Sequence, residues 1–444
     1  MPLSLCTVCC LCLLTQPEPN EIVPSNSIRV LWRVPLQSVS FGSAAIADAD
    51  GDGGLDVAFA TYFNDSRVYV LRGTDGTELW QHNAGKACLD ASCRFADLDG
   101  DRRLELVVPV SNRSEVISFD AASGKVHWTM RLAIGECIDT PPWIGEIEGK
   151  SRIVVGTFKG NVHFIDGLNG DVTRTLHAAP GAVQSCPIVT DLSGDGEPDV
   201  VVGNFRGDHS LHAVDGKTGE EMWAFKTGSH IYHGPSLGDL DGDGEPELVV
   251  GSYDGRVYAV RGRDGSELWN ADAGDRYIMS PTVITDVNGD GKPEVVAASE
   301  HVTVYRADGS TLWSEPVAAD PGAYDSVTRG VAVADLDGDG TPDLAYLTSE
   351  GVFIARRATD GRITYRLDVA EALKLPAQNG SHCPTIADLD GDGKYEVFVV
   401  VGNPGNSGEG AIGEAACLTG FSGGGTGWRE MRHDAQNTGN TRGR

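Results

Sequence analysis

The sequence predicts an all-β fold: an eight-bladed β-propeller of four-stranded blades, closed by the N-terminal strand. Three observations predict it. An acidic string, Asp239-Leu-Asp-Gly-Asp-Gly-Glu-Pro-Glu247 in its fullest form, begins seven times, at Asp48, Asp97, Asp191, Asp239, Asp286, Asp335 and Asp388, with an eroded copy at Glu146. Successive starts lie 45 to 53 residues apart, so eight units of about 48 residues fill the chain. Within each unit, short runs rich in β-branched residues alternate with Gly, Asp and Asn, the pattern of strands and turns.

The elements follow in order within a unit. A first strand precedes the acidic string, as in Pro281-Thr-Val-Ile-Thr285, and a second follows it, as in Glu247-Leu-Val-Val-Gly251. A third alternates polar and apolar residues, as in Arg256-Val-Tyr-Ala-Val260, and a fourth follows a Gly turn, as in Ser266-Glu-Leu-Trp269. Four short strands repeated eight times are the signature of a propeller, whose closure removes exposed sheet edges. Only Val369 to Leu375 reads as a turn of helix. Val30 to Leu36 looks like a fourth strand without its first three, and the last unit has strands at Pro384–Ala387, Tyr395–Val401 and Ala416–Phe421 but no fourth. The N-terminal strand is therefore expected to complete the eighth blade. The expected organisation is a leader over 1–27, the propeller over 28–422, and a tail over 423–444 packing on or flanking it. Gly423 to Gly425 reads as a flexible lead into that tail.

Composition narrows the function. The chain has 57 glycines in 444 residues and a formal charge of −29, against an ordinary Gly share of about 7%. So acidic a surface repels phosphate backbones, which excludes a nucleic-acid binder. No apolar run has the ~18 residues of a spanning helix. Leu3 to Leu14 is an apolar run of signal-peptide length, without a preceding Lys or Arg and without an Ala-x-Ala site. Outside it lie Cys88, Cys93, Cys137, Cys186, Cys383 and Cys417, an even number suited to an oxidising compartment. Cys88–Cys93 and Cys88–Cys137 are the candidate bridges. An extracellular or periplasmic location follows, and a monomer is expected.

The acidic strings have the spacing of calcium loops. Oxygen ligands at the first, third, fifth and ninth positions of a tight turn can converge on one hard cation, which for Ca²⁺ accepts six to eight oxygens. These positions are Asp48, Asp50, Asp52 and Asp56; Asp97, Asp99, Asp101 and Glu105; Asp191, Ser193, Asp195 and Asp199; Asp239, Asp241, Asp243 and Glu247; Asp286, Asn288, Asp290 and Glu294; Asp335, Asp337, Asp339 and Asp343; and Asp388, Asp390, Asp392 and Glu396. Up to seven calcium ions are expected, with weaker binding where Arg102 replaces Gly and Ser193 replaces an acid, and none in the eroded third unit. Clustered carboxylates repel one another, so bound cations should stabilise the ring.

These motifs resemble two propeller families. The acidic loop followed by strand and Gly resembles FG-GAP/VCBS repeats, known from integrin α-chain heads and secreted bacterial proteins. Gly73-Thr-Asp-Gly-Thr-Glu-Leu-Trp80, Asp215-Gly-Lys-Thr-Gly-Glu-Glu-Met-Trp223, Gly262-Arg-Asp-Gly-Ser-Glu-Leu-Trp269 and Ala307-Asp-Gly-Ser-Thr-Leu-Trp313 resemble the tryptophan-docking motif of PQQ-like propellers. That resemblance implies that Trp80, Trp128, Trp223, Trp269 and Trp313 pack between blades, with Tyr365 as a substitute and Arg174 at the third unit's offset. The segment Trp428 to Gly439 is similar to the tail of bacterial proteins of this group. No quinone is implied, because the one adjacent cysteine pair, Cys9-Cys10, lies outside the propeller, and fold does not transfer function.

A ligand site is sought where the units differ. Residues just before each first strand crowd one mouth of the axis, and there the repeat is chemically varied. Asp90, Asp139, His230, Tyr232, His233, Arg329 and His382 form the candidate ligand site. It could hold an acidic glycan through Arg329 and the histidines, or a metal at His230-x-x-His233, or merely cap a water-filled channel. The expected function is a calcium-stabilised module binding a protein or carbohydrate ligand, more a binder than an enzyme. The alternative is a polysaccharide lyase, by resemblance to eight-bladed rhamnogalacturonan lyases. Arg206-Gly-Asp208 and the sequons at Asn64, Asn112 and Asn379 are minor features.

Overall fold

Residues of each unit's second and third strands are apolar on both faces, and in a propeller both faces are covered by neighbouring blades. The computed structural model, which describes residues 27–320, 322–375, 380, 382–403, 410–428 and 432–434, shows this directly. Second strands such as Asp56–Ala60, Glu247–Gly251 and Asp343–Leu347 are buried along their whole length. Fourth strands such as Glu78–Asn83 and Glu221–Lys226 alternate between exposed and half-buried positions around one buried tryptophan. An outermost strand has one covered edge, so it reads with period two.

Eight antiparallel sheets result, seven of them with their strands in chain order from the axis outward, the fourth gaining the short strand Ala182–Val183 beside Asp199–Arg206. The first blade runs from Ala45–Ala47 to Glu78–Asn83, and the seventh from Ala332–Ala334 to Ile363–Asp368. The eighth blade takes Thr385–Ala387, Glu396–Asn403 and Ile412–Thr419 from the C-terminal part, and its outer strand is Arg29–Leu36. Arg29 pairs with Thr419 and Leu36 with Gly413, so the two ends of the chain are zipped together as expected. Among the described residues the one α-helix is Val369–Leu373, capped by the Asp368 carboxylate accepting the Glu371 N–H at 2.9 Å.

The core lies between blades rather than at one centre. Trp32, Leu36, Phe59 and Phe398 join the eighth blade to the first, and Leu211, Trp223, Leu248 and Tyr258 join the fourth to the fifth. Docking tryptophans act at these seams. The indole N–H of Trp80 donates to Ala121 O at 2.7 Å, Trp223 to Gly262 O at 2.9 Å, and Trp313 to Ala358 O at 2.8 Å, each in the next blade. Trp32 on the closing strand does the same to Gly73 O at 2.7 Å. Arg174, where the third blade lacks the tryptophan, donates to Gly216 O and lies 5.5 Å from the Phe164 ring centre. A guanidinium thus fills the indole's place with the same bond. Each tryptophan lies on a turn glycine of the next blade. At Gly265, where φ is +68°, a Cβ would stand 2.6 Å from the Trp223 ring, so the glycine answers both backbone and packing.

Two expectations are corrected. Neither Cys88–Cys93 nor Cys88–Cys137 is bonded: Cys88 is a buried thiol, and the Cys93 sulfur faces Ala58 O at 3.4 Å. Equivalent positions on neighbouring blades do not by themselves bring two sulfurs within bonding distance. Gly423–Gly425 is no flexible spacer either. The N–H groups of Ser422 and Gly423 donate to Leu336 O at 3.0 and 2.9 Å, and Tyr395 donates to Gly423 O at 2.8 Å. A Cβ on Gly423 would meet Asp335 O at 1.7 Å, so glycine is there for close approach.

Candidate functional site: the acidic loops and the axial mouth

Each acidic string directly follows an innermost strand, and the varied residues directly precede it, so the two features occupy opposite faces of the ring. Within a loop the acids first organise the backbone. Asp239 accepts the N–H groups of Gly242 and Gly244 at 2.7 and 3.1 Å, and Glu247 accepts that of Leu240 at 2.8 Å. Asp243 and Glu245 N–H groups donate to Asp241 and Asp243, at 3.3 and 2.8 Å. The same bonds recur from Asp48 to Asp388. Glycines at the fourth and sixth positions take positive φ, and Arg102 is forced to +70° in their place.

Five loops bring at least three carboxylates within 4.8 Å of one another: Asp48, Asp50 and Asp56; Asp97, Asp99 and Asp101; Asp239, Asp241 and Glu247; Asp335, Asp337 and Asp339; Asp388, Asp390 and Glu396. In the loops of Asp191 and Asp286, where Ser193 and Asn288 leave three acids each, no such group is formed. In the third unit the loop is gone. Trp143–Ile147 and Lys150–Gly156 are joined by Glu148 and Gly149, at φ +53° and +67°, a tight hairpin turn.

The donor set fits a hard cation: oxygens only, converging, and short of positive charge. Burial, with neighbouring acids, pushes Asp56 up to about 6, and Glu247 and Asp343 up to about 7. Arginines at the end of third strands offset part of this charge. Arg72 pairs with Asp50 and Asp52 at 3.0 and 2.5 Å, Arg261 with Asp241 at 3.5 Å, and Arg357 with Asp339 at 2.9 Å. Sequence reasoning missed them, although they recur 22 to 24 residues after their loops begin.

At the opposite face, Asp90, Asp139, Tyr232, His233 and Arg329 converge with Phe41 and Gln184 on a narrow cavity. Its free space, about 10 Å³, is at the threshold for one water molecule. The Arg329 guanidinium lies 5.1 Å from the Phe41 ring centre and 5.7 Å from that of Tyr232, a cation held between aromatic faces. Asp90 and Asp139 lie within hydrogen-bonding reach of each other, and Ser111 donates to Asp139. Burial raises both carboxyls, Asp90 further raises Asp139, and Arg329 opposes both shifts, so the pair holds a proton more readily than free acids do.

The histidines divide. His233 lines the cavity at 7% exposure, neither ring nitrogen makes a hydrogen bond of good geometry, and burial with Arg329 and Arg432 holds its pKa well below the ordinary value. His382 is buried 5.7 Å from Phe398 and pushed down to about 3 by burial and Arg329. His230 lies outside the cavity lining, packed on His209 and Phe205 at 4.4 and 5.3 Å. His230 and His233 therefore face different surroundings, and among the described residues no metal-ligating group includes them. Ser381, another rim position, and Asn379 lie outside the described residues. Asp208 of the Arg-Gly-Asp triplet is bonded to His212 at 3.1 Å. Asn112 accepts the Cys88 N–H at 2.8 Å, so its side chain is already engaged.

Described residues of the C-terminal tail reach the inner strands of two blades. Trp428, 1% exposed, pairs with Ile386 through two backbone bonds of 2.7 Å. Arg432, 2% exposed, donates to the Gly234 carbonyl at 2.7 Å and to that of Pro235, the two residues after His233. Nothing in the tail's residue types announced this position.

Comparison with known proteins places this geometry. Over 167 residues, 36% of this chain, the protein is 26% identical to the outer membrane protein assembly factor BamB of Kangiella koreensis, and the match spans only 39% of that relative. Among solved structures, the V. cholerae biofilm matrix protein Bap1 aligns with a TM-score of 0.65 at 15% identity, over 93% of this chain and 96% of that one. BamB from Moraxella catarrhalis aligns with a TM-score of 0.55 at 17% identity, over 87% and 97%. The computationally designed Ika8 protein aligns at 0.59 and 16% identity, over 87% and 99%. At these identities the likeness is one of fold. A sequence model of the FG-GAP-like repeat matches residues 48–108, 191–250, 286–346 and 335–399, more than half of the chain, and the protein therefore belongs to the FG-GAP-like repeat family, with PQQ-like docking tryptophans at its blade seams.

Proposed function

We propose that this protein is a secreted or periplasmic propeller, stabilised by calcium in its acidic loops, that works as an interaction module for a protein or glycan ligand at the axial mouth. The observation that carries the reading is the mouth itself. Eight near-identical blades would give eight similar rim residues, yet here they bring together Asp90, Asp139, Tyr232, His233 and Arg329 around one cavity. Repeat folds place recognition where the repeat is broken, on loops held by a rigid scaffold. The relatives agree in kind, one named as a biofilm matrix protein and one as an assembly factor. Among the described residues no helix is long and apolar enough to cross a membrane.

Calcium would be held by Asp48, Asp50, Asp52 and Asp56 and their equivalents, where it supplies charge neutralisation and rigidity. The chain's own contribution is to preform the loops through backbone bonds to the first and ninth acids. Elimination chemistry is the weaker reading. A lyase must bring a base to a sugar ring, whereas this cavity admits about one water and the Asp90–Asp139 pair tends to hold its proton. The test is a binding screen of the calcium-loaded protein on immobilised glycans and envelope proteins, run beside an ultraviolet assay for unsaturated products from pectic polymers. Retention without absorbance is expected. Absorbance that grows with time and is lost in Asp139→Asn would overturn the reading.

A further inference from the structure

A row of aromatic side chains leads away from the mouth; Phe205 and Tyr253 hold the repeat position that Tyr62 holds in the first unit, whereas Tyr277 and Tyr324 have no such equivalents. Phe205 meets Tyr232 edge-on at 5.2 Å, Tyr232 lies parallel to Tyr253 at 6.2 Å and 7°, and Tyr253 meets Tyr277 at 5.3 Å. The hydroxyls of Tyr277 and Tyr324 are 2.5 Å apart. Tyr324 is 43% exposed and the others are half-exposed, so the row belongs to the surface of blades four to seven and not to the core. Aromatic side chains left at a surface with their polar tips wet are characteristic of recognition sites.

The polar groups at the head of the row complement a particular chemistry. Arg329 Nε and Thr328 Oγ1 are buried donors without a partner; Asp90 Oδ1, Gln184 Oε1 and the ring of His233 are buried with acceptor positions unmet. Buried polar atoms are normally satisfied, and a set mixing orphaned donors with orphaned acceptors is met best by groups that do both, which hydroxyls do. Charge argues the same way. His233 and His382 are held neutral by burial, Arg329 faces two acids, and the chain carries −29 overall. An anionic polymer would meet a single cation, Arg329, at the mouth of a chain carrying −29.

We propose that the rim face binds a neutral, hydroxyl-rich glycan, its sugar faces laid along Tyr232, Tyr253 and Tyr277 and one hydroxyl entering the mouth between Arg329 and Asp90. The inference rests on the interaction-module reading and names its ligand class. A cavity with room for one water suits a single hydroxyl and excludes a whole ring.

The test uses the full chain in calcium. Native affinity electrophoresis through gels containing a glucan, a mannan, a galactan, a polygalacturonate or a sulfated galactan measures retardation by each polymer. Retardation by at least one neutral polymer is expected, weakened about tenfold in Tyr253→Ala and retained in Tyr253→Phe, with unchanged circular dichroism in both. A tenfold loss corresponds to about 1.4 kcal/mol, within the range for one aromatic contact. Retardation only by the uronate or sulfate polymers would overturn the neutral-ligand inference, as would equal binding by Tyr253→Ala. A photo-crosslinking amino acid at Tyr324 supplies the other arm. If no polysaccharide binds but the probe captures a defined protein partner, the glycan inference fails and the module reading stands; if neither occurs, both fail.

Discussion

Removing one indole should test whether the ring is held shut by its N-terminal strand. Trp32 is 8% exposed, donates to Gly73 O at 2.7 Å, lies over Gly76, and meets Phe398 at 5.9 Å. Truncating a core tryptophan costs about 3–5 kcal/mol. With an unfolding entropy of ~2.1 cal/mol/K per residue, a chain of 444 residues loses about 1 °C per kcal/mol, so Trp32→Ala should melt about 3–5 °C lower. Trp80→Ala is the control. Trp80 is equally buried and makes an equivalent bond, but its strand is held in the middle of the chain. Both variants should melt lower by similar amounts in calorimetry. Only Trp32→Ala should also release Arg29–Leu36, seen as rapid cleavage between residues 36 and 45 in limited proteolysis. A Trp32→Ala protein that melts within 1 °C of wild type, or that resists cleavage as Trp80→Ala does, would refute the closure argument.

Three further outcomes follow from the same geometry. Arg102 occupies a left-handed turn position at φ +70°, so Arg102→Gly should gain about 0.5–1 kcal/mol in urea unfolding and strengthen metal binding in that loop. Arg432→Ala removes a buried guanidinium that donates to the Gly234 and Pro235 carbonyls; it should cost about 1.5–3 kcal/mol and speed proteolysis of the tail. In chelator, stability should fall as pH rises from about 4 to 7. Asp56, Glu247 and Asp343 have folded pKa values of about 6, 7 and 7, above their unfolded values. The folded state therefore binds more protons in that window, and its advantage is lost as pH passes through the folded pKa values. Melting in EDTA across that range measures it, and calcium should abolish the slope.

Architecture was legible because it is repeated: seven acidic strings, one eroded copy and their flanking strands leave little freedom, and an unpaired strand at Val30–Leu36 pointed to closure. Seam chemistry was only half legible. The docking tryptophans announce themselves, but Arg174 keeps the bond with a different side chain, visible only once Gly216 O is seen across the seam. At the mouth, counting back from each loop located Asp90, Asp139, Tyr232, His233 and Arg329, yet it could not separate His230 from His233, which differ in the direction they face. The aromatic row escaped because Phe205 and Tyr253 come from hairpins between second and third strands, whereas Tyr232 and Tyr277 precede first strands. Pairing of cysteines by count failed for the same reason. Equivalence in the repeat fixes a residue's height and blade, not its partner.

Calcium dependence is the most direct test of the whole account. Elemental analysis of protein dialysed in 1–10 mM calcium should find about five to seven ions per chain, set by the five converging carboxylate groups and the two weaker loops. At 100 times the dissociation constant each occupied loop adds about 2.7 kcal/mol, so chelation should lower the melting temperature by ten degrees or more. Protein carrying no bound calcium, with a melting curve unmoved by EDTA, would contradict the account.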